Sequence, residues 1–487
     1  MEIRKFSKLI FITLTVLTSF YVSSQDLCTI PTFEQQIQAF VSETYKESYS
    51  TLLSESEIKQ LAWLKGNLYQ TNEKNVVYLE LMQKEPPQDR ALQEVKRAIS
   101  RIYNLELLKQ GGPEAYKAFI FAQQAAKLPD ILSPASFESL SKNIQQLDKD
   151  AYQALRVATL LSSVTLSIPA KEQAAPRLQA KGMPMPVDSV EFMATTIDHC
   201  PDIYPLVKTL SEQGFSYLKM AFPYRTHFRH MMYTEGGLGM FEALKNKIQA
   251  KQLDQAALGF WYAYWMINIT GFRGHLNPQG SVYLSENTFR AMTTLKTFLD
   301  EYIQNPSSNI LRKYLEARSE WVGLGAVKNK DKQLVLAHMA AMLRLYTHES
   351  GLALLQGFDA IPESIQNKIL IQYTSSLSLT QAQEPTPTYA PALFANALDA
   401  LKGDIVQTVK IFLPIYASTL ENYRNLRKEN KIAPNIPLNF NSLAAAPIVK
   451  MIINDASMDK RGVLPIEIDP KTGEAKLVER DLVPKVP

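Results

Sequence analysis

An all-α fold is predicted for this chain of 487 residues, and three observations carry the prediction. Apolar residues recur at helical spacing over most of the length, helix-start signals precede several of those stretches, and strand-like alternation is confined to the C-terminal end. The composition is that of a globular protein: 46% of residues are hydrophobic and 10% aromatic, enough for a large core that needs no disulfide staple. With 52 Lys and Arg against 48 Asp and Glu, the formal charge of +4 is small, and no basic block concentrates it. Nucleic acid is therefore not an expected partner. No repeat of fixed period is present, which argues against a solenoid.

Residues 1–24 read as a signal peptide. Arg4, Lys5 and Lys8 form a cationic start, Leu9 to Val22 is apolar, and Val22-Ser23-Ser24 supplies the small residues for cleavage after Ser24. The apolar stretch is shorter than the about 20 residues of a membrane span. An exported protein, periplasmic or extracellular, with no stable membrane span after cleavage is expected. Gln25-Asp26-Leu27 ahead of Cys28 lacks the small residues of a lipoprotein signal. Cys28 and Cys200 leave open one disulfide or two separate thiols, and the sequence does not specify an oligomeric state.

Residues 25–167 are expected to form an N-terminal helical region. Ser54-Glu55-Ser56-Glu57 is a capping box that opens one helix. Leu92, Val95, Ile99 and Ile102 form the stripe of another, which stops at Gly111-Gly112-Pro113. Ser133-Pro134 begins a third, with proline in the first helical position. Residues 168–187 carry four prolines without helical periodicity and read as a linker or long surface loop. A larger helical domain is expected over 188–430. The remainder, 431–487, reads as an extended tail in which Leu464 to Ile468 and Glu474 to Val478 flank the turn Asp469 to Gly473 as a small hairpin.

Several common catalytic machines are absent from the sequence: there is no Gly-x-Ser-x-Gly elbow, no P-loop, no His-Glu-x-x-His, and two cysteines are too few for a zinc finger. Gly236-Gly237-Leu238-Gly239 reads as a helix break rather than a dinucleotide fingerprint. The histidines say more, because all six (His199, His227, His230, His275, His338 and His348) lie between positions 199 and 348. His227 and His230, at i and i+3, share one helical face and can handle a proton or a phosphate together. Asp254 to Thr270 is apolar on nearly every face and must be a buried helix. The loop after it delivers Arg273, suited to phosphate, and then Glu286. A further helix around Leu334 to Leu355 carries Ala337, Ala341, Arg344 and His348 on one stripe, and His338 points elsewhere as a structural residue. Phe228, Tyr233 and Tyr283 serve either as core or as walls for a nucleotide-like substrate.

This order of residues resembles the α-helical phosphodiesterase domain of the SidE family of bacterial effectors, a distant relative of HD-type phosphohydrolases. The motifs are His227-x-x-His230 on one helix, a buried helix leading to Arg273 and Glu286, and His348-Glu349-Ser350-Gly351-Leu352 on a later helix, over about residues 200–420. The resemblance implies a metal-independent phosphodiesterase without a cofactor, acting on a nucleotide-like or ADP-ribose-like phosphodiester such as that of an ADP-ribosylated protein. It implies catalytic roles for His227 or His230, Glu286 and His348, and substrate binding by Arg273 and Arg344. The family separates its first two histidines by four positions rather than three, and it has Asp where Glu349 stands. The alternative is a non-catalytic exported helical binding protein whose phosphodiesterase-like half is degenerate.

Overall fold

The computed structural model describes residues 31–45, 51–66, 87–165, 167–186, 189–222, 227–235, 239–251, 253–306, 309–377, 387–458 and 466–478. The expected signal peptide and Cys28 lie outside the described residues. The chain divides into two compact units, residues 1–62 and 63–487. The first holds α1 (Phe33–Thr44) and α2 (Glu55–Leu61). Ser54 and Glu57 cap α2 reciprocally, as its capping-box pattern predicts, and Thr32 and Gln35 do the same for α1.

The second unit opens with α3 (Pro87–Gln110), α4 (Gly112–Ala125), α5 (Pro134–Gln145) and α6 (Lys149–Val164). Gly111 ends α3 at φ +66°, and a Cβ there would lie 2.5 Å from Gln145 Nε2, so only glycine fits. Residues 168–187, expected as linker or loop, instead contain α7 (Ile168–Ala180). Ser167 caps it by accepting from the Ala170 N–H, one proline falls in the first turn where no bond is lost, and alanines favour the helix around Pro176. These residues lie inside the second unit rather than between units.

Helices α8 (Ser189–His199), α9 (Glu212–Met220), α10 (Phe228–Met232) and α11 (Gly239–Gln249) precede α12 (Gln255–Thr270). Helix α12 is buried from Ala257 to Thr270 apart from Gly259, as its all-round apolar sequence requires. It packs against α3, α6 and α9 on one side and α13 (Glu286–Gln304) on another. Helix α14 (Ile310–Trp321) leads into α15 (Lys330–Met342) and α16 (His348–Asp359). The single helix expected over Leu334 to Leu355 is thus two. Arg344 turns left-handed at φ +59°, and Thr347 opens α16 by a capping box with Ser350.

A second core forms from α15, α16, α17 (Glu363–Leu377), α18 (Ala390–Ala400) and α19 (Ile405–Lys428). Residues 431–487 are not simply an extended tail. They contain α20 (Asn441–Ala444) and α21 (Ala446–Met458), and Phe440, Val449 and Ile452 are buried in that core. The expected hairpin is present, with β1 (Ile466–Ile468) antiparallel to β2 (Ala475–Leu477) and Ile468 opposite Ala475. Gly473 makes its turn at φ +70°, where a Cβ would meet the Pro437 carbonyl. Among the described residues no helix is long and apolar enough to cross a membrane.

Candidate active site

Helix α10 is one short turn, and burial of Phe228, Met231 and Met232 fixes it. Phe228 meets Trp261 and Tyr262 of α12 edge to face, and the Tyr314 hydroxyl donates to the Met232 carbonyl at 2.8 Å. His227 occupies the N-cap position and His230 lies one turn on. Their rings stack, with centroids 4.3 Å apart at 15°, and the His227 ring also lies 5.0 Å from that of Trp265. The i, i+3 spacing thus brings both imidazoles together.

The turn after α10 adds a group that sequence reasoning missed. The Glu235 N–H bonds back to the His230 carbonyl at 2.8 Å and the Thr234 N–H to Met231 at 3.0 Å, a Schellman closure. That closure needs a left-handed residue, and here it is the β-branched Thr234 at φ +50°. Such a conformation costs roughly 1–2 kcal/mol. His338 Nε2 donates to the Thr234 carbonyl and holds the turn, which gives the buried His338 its structural role. The consequence is that Glu235 Oε2 lies 3.2 Å from His230 Nε2. Glu235 also accepts from the backbone N–H of Tyr389, another left-handed residue at φ +64°. With Arg344, three of the strained non-glycine positions surround one carboxyl group.

Burial pushes the Glu235 carboxyl from its ordinary 4.5 up to about 7, against the opposing pull of Arg229, the Tyr389 N–H and Arg344. Burial, with His227 and Arg229 nearby, holds His230 well below its usual range. Both shifts favour uncharged forms, so below neutral pH the 3.2 Å contact joins two uncharged groups rather than an ion pair. Aromatic rings and guanidinium groups line the surroundings. Arg344 lies over the rings of Tyr233 (4.7 Å) and Tyr283 (5.5 Å), whose hydroxyls bond to each other. Arg229 lies 4.7 Å over Phe272, which meets Tyr283 edge to face. Arg344 Nε is buried with no hydrogen-bond partner among the described residues. Fully buried Arg318 donates to the Ala340 and Leu345 carbonyls and so fastens the turn that carries Arg344.

Of the residues expected from sequence, His227, His230 and Arg344 belong to this cluster. Glu286 is engaged elsewhere: its carboxylate accepts from the Ser133 N–H at 2.7 Å and the Ser136 hydroxyl at 2.8 Å, at the start of α5. Arg273 is exposed, and its carbonyl accepts from Leu276 and Asn277. His348 is exposed at the first turn of α16, over Gly323, where a Cβ would stand 3.0 Å from the ring. Among the described residues no group of three His, Cys, Asp or Glu side chains is arranged to hold a metal ion. The missed residues, Arg229, Glu235 and Tyr389, left little trace in the sequence beyond the two glycines that follow Glu235. No protein-family model, curated protein or solved structure matches the chain.

Proposed function

We propose that the His227, His230, Glu235 and Arg344 cluster binds a phosphodiester and hydrolyses it. The observation that carries this reading is the 3.2 Å contact between His230 and Glu235 beside Arg344, a guanidinium stacked on two tyrosines with its Nε unpartnered. A guanidinium whose buried Nε has no acceptor can take an oxygen of an anion, and a carboxyl group with a pKa of about 7 is matched to proton transfer at neutral pH. In the proposed reaction His227 attacks phosphorus, because His230 Nε2 is engaged by Glu235. The phosphorus–oxygen bond to the leaving group breaks, and that oxygen takes the Glu235 proton. Water then cleaves the phosphorus–nitrogen bond and returns a proton to Glu235, leaving a phosphomonoester. Arg344 and Arg229 balance the charge that gathers on the phosphoryl oxygens.

Glu235 here takes over the proton donation to the leaving oxygen that the family resemblance assigns to His348, and it replaces Glu286 as the carboxyl group beside the histidines. Export of the chain remains part of the proposal, on the character of residues 1–24. The test is turnover of bis(4-nitrophenyl) phosphate. His227→Ala and Glu235→Gln are each expected to lower kcat/KM by roughly 10²–10⁴, with Arg344→Ala acting mainly on KM. Loss of turnover in Glu286→Gln with none in Glu235→Gln would overturn the assignment. A second reading, anion binding without turnover, draws support from the commitment of Glu286 to a helix cap and from the exposure of His348. It is the outcome if the unmodified protein binds the diester but releases no nitrophenol.

A further inference from the structure

A groove of about 470 Å³ opens on the second unit between the end of α5, the start of α6, and helices α9, α12 and α13. The residues that decide its chemistry are Asn143, Gln146, Asp148, Tyr217, Gly259 and Lys296. None of them belongs to the histidine cluster. The volume falls in the range that holds a small organic ligand.

The charged groups at this groove are already hydrogen-bonded within the protein. Asp148 accepts from the Ala151 N–H at 2.7 Å and the Tyr217 hydroxyl at 2.9 Å. Lys296 Nζ reaches both carboxylate oxygens of Asp300, at 2.6 and 2.7 Å. An anionic ligand would find Lys296 already neutralised by Asp300 and would meet the Asp148 carboxylate, which only neutral donors hold. The carboxylate, the two amide side chains and the ammonium group nonetheless keep spare lone pairs and N–H bonds, which suit ligand hydroxyls. Tyr217 adds an aromatic surface: it is half-buried, and its ring stacks on Phe260 with centroids 5.6 Å apart at 25°. A flat aromatic body rimmed by carboxylate and amide groups matches a ring with apolar C–H faces and hydroxylated edges.

Gly259 supplies an independent observation. It lies within α12, where glycine destabilises a helix by roughly 0.5–1 kcal/mol relative to alanine. Packing does not require it, because a Cβ at this position would meet no heavy atom within 4 Å. The missing side chain leaves the groove open.

We propose that this groove binds a neutral pyranose ring, as a free sugar or as a residue of a glycan. The test uses the full chain and calorimetric titration with glucose, maltotriose, cellotriose and triacetylchitotriose. Saturable binding of at least one probe is expected. Gly259→Met, which fills the groove, should weaken it by about tenfold or more without lowering Tm, and Tyr217→Ala should weaken it as well. His230→Ala should leave the titration unchanged, which separates this proposal from the phosphodiester reading. A sugar that binds while its trisaccharides do not assigns the site to free sugars, and the reverse assigns it to glycans. The proposal is overturned if no probe binds at about 10 mM, or if the affinity survives both Gly259→Met and Tyr217→Ala.

Discussion

Glu235 is protonated more readily in the folded chain than in the unfolded one, and the sign of its contribution to stability follows. Between its ordinary 4.5 and about 7, the folded state holds more of this proton, so stability attributable to Glu235 falls as pH rises and levels off above that window. The size is on the order of 3 kcal/mol. His230, held below its usual range, works in the opposite direction: its contribution is complete at neutral pH and is lost as pH falls. Denaturant unfolding of the wild type and Glu235→Gln from pH 4 to 8 isolates the first effect. The wild type should lose stability relative to the variant across that window, and parallel curves would show that the carboxyl group is not buried beside His230. Arg344→Lys keeps the charge but loses the planar group stacked on Tyr233 and Tyr283. Diester binding should weaken about tenfold in this variant, measured as KM or as Kd.

Close contacts between elements decide the next scale. A Cβ on Gly351 of α16 would stand 1.8 Å from the Val322 carbonyl, which is rigid backbone. Gly351→Ala should cost about 3 kcal/mol or more, read from the denaturant midpoint. Glu286 ties the start of α13 to the start of α5 through Ser133 and Ser136. Glu286→Ala should therefore cost about 1–2 kcal/mol whether or not the site turns over. These elements also separate what the sequence discloses from what it hides. The capping box at Ser54, the stop at Gly111 and the buried α12 were legible because neighbours in the chain determine them. The break between α15 and α16 was hidden because the stripe of Ala337, Ala341, Arg344 and His348 keeps helical spacing across it, and Thr347 with Ser350 is a weaker capping signal than one with Glu or Gln. The same holds for α7, where four prolines over 168–187 mask the cap at Ser167. His227 and His230 were legible as a local pair. Glu235 was not, since its alignment depends on a strained turn held by His338 from another helix.

Across the whole molecule, the C-terminal segment is part of the core rather than an appendage. Ile468 of the hairpin is buried together with Leu438, Phe440 and residues of α19. Ile468→Asp should lower stability by about 3 kcal/mol or more through an unpaired buried charge, and an unchanged Tm would show that the hairpin is dispensable. The two compact units also divide the chemistry unevenly, for every site residue lies within 63–487. The contact between Glu235 and the Tyr389 N–H has a further consequence. The two residues are made far apart in time on the ribosome, and Arg344 emerges between them. A nascent chain that has exposed only His227, His230 and Glu235 therefore lacks both the guanidinium and the amide that complete their surroundings. Premature termination anywhere before Tyr389 yields histidines without these surroundings, so under the proposed phosphodiester reading affinity at this cluster reports synthesis past Tyr389.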